Sequence, residues 1–255
     1  CSLLSNELHI PLKDICEGKV NYDREDSLMW LTNNAGFFPN SLPAGKKFAH
    51  LALEDASEID ILGSYVQHEY YVRSYTEKAK KINLNGYYAP FLWKNPWTKE
   101  LKGKKVLVIH PFAETVKKQY EKREHLFENS DILPEFKKLT VIKAVQSIAG
   151  NSSETGFKDW FEALDFMKNQ MDQSDYEIAL IGCGAYGMSL AAHAKRQGKI
   201  AVHMAGWTQM LFGIYGNRWI EDQPEFKKYI NEYWTRPGID ERPKNAEKVE
   251  GGCYW

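Results

Sequence analysis

Cysteine is scarce in this chain. Four are present in 255 residues, Cys1, Cys16, Cys183 and Cys253, and no two form a CxxC pair. That spacing excludes a zinc ribbon and a thioredoxin-like redox site, and scattered thiols in a domain of this size point to a reducing, cytoplasmic setting. An excess of charge of one sign is also missing. The 33 Lys and Arg face 34 Asp and Glu, a formal net charge of −1, whereas a nucleic-acid binder carries a strongly basic face; no nucleic-acid partner is expected. Long apolar runs are lacking too. The most apolar stretch, 178–194, holds three glycines and closes on His193, Lys195 and Arg196, short of the roughly 20 apolar residues of a spanning helix. The reading is therefore a protein without a transmembrane segment, with peripheral membrane attachment left open. The first ten residues include Glu7 and His9 and lack the basic start of a secretory leader. No internal repeat or low-complexity segment interrupts the chain.

What is present is an ordinary globular composition, 43% hydrophobic and 26% charged, which excludes disordered, collagen-like and disulfide-scaffold classes. The second half alternates strand and helix signals. Strands are expected at 105–110, 140–145, 177–181 and 199–203. Between them, Phe157, Phe161, Leu164 and Met167 recur at helical steps over 156–171, and 188–196 reads as a helix stopped by Gly198. Such alternation predicts right-handed βαβ units in an open, mostly parallel Rossmann-like sheet with helices on both faces, an α/β protein. We read 1–255 as one domain: a helical, aromatic-rich part over 1–100, a βαβ core over 101–220, and a tail over 221–255 that packs back on the body. In the first part, 4–15 and 44–57 look helical and 19–22 could form a strand.

The clearest local motif is the hexad Gly182-Cys183-Gly184-Ala185-Tyr186-Gly187, a GxGxxG between a buried strand and a helix. It fits three uses. It can be a tight turn whose glycines serve packing. It can be an anion loop whose N–H groups receive a phosphate. It can be a dinucleotide site, but that use calls for Asp or Glu about 20 residues on, and the next strand ends His203-Met-Ala-Gly206 without one. Ligands of open α/β sheets bind beyond the carboxyl ends of strands. Those ends carry His110-Pro-Phe112, Gln146-Ser147, the hexad, and His203 to Gly206, followed by Gln209. Arg218, after Gly213 and Gly216, offers a fork suited to phosphate or an anchor for the tail.

Near the N-terminus, Asp23 and Glu25 stand two apart, on one side if that segment is extended. Such a pair can hold a hard divalent cation. Alternatively Asp23 caps a helix that has Asp26 in its first turn.

Taken in order, the DxE triplet, Phe37-Phe38-Pro39, Asp60-Ile-Leu-Gly63, His110-Pro-Phe112 and the late glycine-loop unit resemble the layout of GT-D fold glycosyltransferases. The stretches 144–147, 181–187, 212–219 and 250–255 are similar to an uncharacterised family associated with surface polysaccharide loci. The GT-D early motif is Gly-Asp-Gly-Glu; the matching tetrad here is Tyr22-Asp23-Arg24-Glu25, with both carboxylates and neither glycine. The resemblance implies a metal-dependent glycosyltransferase of surface glycan biosynthesis, with a nucleotide-sugar donor and a glycan acceptor. Asp23 and Glu25 would bind Mn²⁺ or Mg²⁺. Gly182, Cys183, Gly184, Tyr186, Gly187, Gly206, Gln209 and Arg218 would hold the nucleotide, and Asp60 or His110 would act as general base. The rivals are a binding protein that keeps the fold without the chemistry, an NAD(P)-dependent oxidoreductase, and a protein scaffold with a large exposed apolar patch.

Overall fold

The structure is a computed structural model and describes residues 24–255. The readings placed on 4–15, on 19–22 and on Asp23 lie outside the described residues.

Two α-helices come first, α1 (Arg24–Ala35) and α2 (Leu42–Ala56), followed by a two-stranded parallel sheet of β1 (Ile61–Ser64) and β2 (Lys80–Asn83). The main sheet contains β3 (Lys105–His110), β4 (Lys138–Lys143), β5 (Ile178–Ile181) and β6 (Ile200–His203). Its order is β4-β3-β5-β6 and every pairing is parallel. Among the longer helices that follow are α3 (Ala113–Glu121) after β3, α4 (Trp160–Asp172) before β5, α5 (Gly187–Arg196) between β5 and β6, and α6 (Trp207–Leu211) after β6.

Side chains of β3 and β5 alternate between two apolar clusters, as the two-residue period of a strand requires. Val106, Val108, Ile178 and Leu180 meet Val116 of α3 and the apolar residues of the C-terminal third, among them Phe212, Trp219 and Trp234. Leu107, Ile109, Ala179 and Ile181 meet α1 through Leu28, α4 through Trp160, Leu164 and Met167, and α5 through Leu190. Helices therefore cover both faces of an open α/β sheet. The central strands β3 and β5 are almost wholly buried, whereas β4 and β6 are partly exposed edges. A sheet buried on both faces needs near-continuous apolar central strands, and this is why those two were the most readable.

Three local differences from the sequence reading stand out. The strand expected at 140–145 runs over 138–143. It leaves the ladder once Ala144 N–H has bonded the His110 carbonyl at 3.2 Å, and 145–147 turn over the strand ends instead. The β1–β2 pair was not foreseen, because two four-residue strands in an aromatic-rich stretch carry little period. The third concerns Glu25, for which an extended segment and a helix start were both open. It lies in the first turn of α1 with Asp26, where two carboxylates complement the helix dipole.

Candidate functional site

The chain goes from β3 to β4 on one side and returns to β5 on the other, so the strand order reverses between β3 and β5. Loops leaving the two strands diverge there and leave a crevice. In this protein the crevice lies between His110-Pro111-Phe112 after β3 and Gly182-Cys183-Gly184 after β5, with 145–148 on one flank and Ala205-Gly206 on the other. Asn34, Ala35 and Gly36 at the end of α1 close one wall, and Tyr254 and Trp255 close another. It measures about 640 Å³ counted out through its open mouth, open solvent included. None of the described residues that line it is Asp, Glu, Lys or Arg.

Glycines build this shape by letting segments approach. A Cβ on Gly182 would stand 2.4 Å from the Ala205 carbonyl oxygen, and one on Gly206 2.3 Å from the Tyr254 ring. Gly184 has φ +58°, and a Cβ there would meet the Ala35 carbonyl oxygen at 2.5 Å. Much of the hexad thus serves close packing, the first of the three uses open to it. Gly182, Cys183, Gly184, Tyr186, Gly206 and Gln209 all line the crevice. Gly187 does not; it makes room for His203, whose Nε2 would be 2.1 Å from its Cβ.

The polar groups of the crevice are mostly engaged. Ser147 Oγ donates to the Gly36 carbonyl at 2.5 Å, so the contact at 3.3 Å with Tyr186 OH has the phenol as donor. This relay ties α1, the β4 exit and the glycine loop together. Tyr186 also stacks on Trp160, with centroids 5.1 Å apart, and burial raises its phenol well above the ordinary range. Gln209 Nε2 donates to the carbonyls of Ile214 at 3.4 Å and Tyr254 at 3.2 Å. Cys183 is buried, and burial drives its thiol far upward. It is a packing residue and not a nucleophile, since the thiolate is the reactive form.

His110 lies at the centre. It is 2% exposed, and burial pushes its imidazole down to about 3. Its Nδ1 accepts the Phe112 N–H at 3.1 Å. A neutral imidazole with Nδ1 as acceptor carries its proton on Nε2. No basic lone pair is left for the crevice, so the general-base role assigned to His110 is corrected.

Several other expected residues are elsewhere. Asp60 precedes β1 and pairs with Lys195 Nζ at 2.8 Å, in the last turn of α5. The crevice is at the opposite end of α5, so Asp60 is no general base there. Arg218 pairs with Glu250, donates to Cys253 Sγ at 3.2 Å and covers the Tyr254 ring at 4.6 Å; it anchors the tail and does not line the crevice. Glu25, in the first turn of α1, does not line the crevice, which α1 meets with Asn34 and Ala35 in its last turn.

A hard divalent cation needs several oxygen acceptors, usually with carboxylates among them. Among the described residues no carboxylate lines the crevice, and no cluster of three His, Cys, Asp or Glu is placed to hold a metal ion. The residues lining the crevice do not fit Mn²⁺ or Mg²⁺, and no step is routed through either. No helix among the described residues is long and apolar enough to cross a membrane.

Sequence reasoning missed Asn34, Gly36, Tyr254 and Trp255 as wall residues. The glycines at 206 and 216 were a usable signal for the last two. A Cβ on Gly216 would lie 2.4 Å from the Tyr254 main chain, and such close approach is what a glycine in a βα loop often marks. Comparison of the chain with family models, with curated proteins and with solved structures yields no match.

Proposed function

We propose that this chain binds a sugar nucleotide in the crevice between β3 and β5 and serves glycosyl transfer in surface glycan assembly. The observation that carries this reading is the crevice itself: a glycine-built cleft at the reversal of strand order, lined by aromatic rings and uncharged polar groups. The transferase form of the proposal takes Asp23 and Glu25 as its metal-binding carboxylates. The absence of Glu25 from the crevice lining favours a second form, a binding protein that recognises the sugar nucleotide without turning it over. An NAD(P)-dependent oxidoreductase is less well supported, because β6 ends at His203 and not at a carboxylate that could hold a ribose.

The test is a thermal-shift panel of UDP-glucose, GDP-mannose and dTDP-glucose, with and without Mn²⁺, and NADH as control. A ligand at 100 times its dissociation constant adds about 2.7 kcal/mol of stability. A shift that requires Mn²⁺, disappears in Asp23→Ala or Glu25→Ala, and is accompanied by nucleoside diphosphate release supports the transferase. A shift independent of Mn²⁺, intact in both variants and without release supports the binding protein. A shift with NADH alone, or with nothing in the panel, overturns both.

A further inference from the structure

Among the described residues the crevice has no charged lining, and this limits which part of a ligand it can take. Burying a phosphate away from water without a cation is costly. An uncharged ring pays no such penalty and finds the rings of Phe112, Tyr186, Tyr254 and Trp255 around it. The His110 side chain hydrogen-bonds through Nδ1, which accepts the Phe112 N–H. Among the described residues its Nε2 has no hydrogen-bond partner. His110 lines the crevice, and with Nδ1 occupied the group its ring has left for a ligand is Nε2–H. A buried donor without an acceptor is unfavourable, and a ligand acceptor relieves it.

Resting on the sugar-nucleotide reading, we propose that the uncharged end of the ligand enters the crevice, that His110 is a binding residue donating Nε2–H to an acceptor on that ring, and that the phosphates stay outside. The acceptor belongs to a nucleobase or to the sugar; both present an uncharged ring oxygen, carbonyl or ring nitrogen to one fixed donor.

Two variants separate recognition from a structural role. His110→Asn can keep an acceptor for the Phe112 N–H but has no atom at the place of Nε2. His110→Gln reaches the Nε2 place with an N–H and gives up the contact to Phe112. Saturation-transfer NMR and calorimetry with the full chain would use uridine, guanosine, thymidine, methyl glucoside, methyl mannoside and inorganic diphosphate, beside the intact sugar nucleotides. The expected result is binding of a nucleoside or of a methyl glycoside, which tells the two sources apart, and none of diphosphate. His110→Asn should weaken that fragment and the intact ligand about fivefold to tenfold, the worth of one hydrogen bond, and His110→Gln by less. Thermal stability should follow the reverse order, Gln below Asn. Binding of diphosphate but of no uncharged fragment, or equal affinity for wild type and His110→Asn, overturns the inference while a bound sugar nucleotide leaves the broader reading standing. Failure of every ligand, intact sugar nucleotides included, overturns both.

Discussion

His110 and His203 stand at the ends of β3 and β6, the two strands that flank β5, and burial lowers both imidazoles, to about 3 and about 4. An unfolded histidine titrates near 6.5. Between pH 6.5 and pH 5 the unfolded chain therefore takes up protons that the folded chain refuses, so stability falls as pH falls through that window. At pH 5 each histidine contributes a loss of about 2 kcal/mol at most. The carboxylates lowered by ion pairing, such as Asp175 beside Lys105, remain ionised there. Urea melts at pH 7 and pH 5 should show the loss, and His203→Gln should reduce it; an unchanged midpoint would remove the argument. Cys183 offers a second check at this scale. With its thiol buried and raised, it should resist iodoacetamide in the native protein at pH 8 and react once urea unfolds the chain. The hexad is the third. Gly182→Ala sets a methyl group against the Ala205 carbonyl and Thr208, and overpacking of this kind costs about 1–3 kcal/mol.

At the scale of elements, carboxylates hold the helices around the sheet. Asp55, near the end of α2 and 1% exposed, accepts Ser189 Oγ at 2.5 Å and Arg196 Nη1 at 2.7 Å, both from α5. Asp55→Asn keeps the shape and removes the charge, with an expected loss of about 2 kcal/mol in chemical denaturation. Glu241, from the C-terminal third, caps α3: its carboxylate accepts the Glu114 N–H at 2.8 Å and the Thr115 N–H at 3.3 Å, besides the Thr115 hydroxyl. The N-terminus of α3, one residue beyond Phe112, is thus filled by the chain itself. Glu241→Ala should cost about 1–2 kcal/mol, the usual size of a lost cap with its dipole interaction.

For the molecule as a whole, the crevice depends on parts far apart in sequence. The walls come from α1, from the exits of β3, β4, β5 and β6, and from Tyr254 and Trp255. Trp255 is 6% exposed and meets Phe112 edge to face at 6.0 Å. Trp255→Ala should lower stability by about 3–5 kcal/mol, as removal of a buried large aromatic does, and should abolish ligand-induced shifts by opening the crevice. Trp255→Phe, which keeps most of the packing, should retain them.

The sequence by itself determined the open parallel sheet, the position of the glycine turn and the uncharged strand ends. These are properties of neighbours. A two-residue period, a helical period and a glycine run are each written within a short stretch, and β3 and β5 were legible because central strands are apolar on both faces. The tertiary structure alone decided which groups meet. It turned Nδ1 of His110 toward Phe112, sent Asp60 to the far end of α5 and Arg218 to Glu250, and set Glu25 in the first turn of α1, outside the crevice lining. It also brought Tyr254 against Gly206 and Gly216, tens of residues away, and Trp255 against Phe112. Such pairings depend on how whole layers pack, because a contact between distant residues forms only when the elements carrying them have found their places.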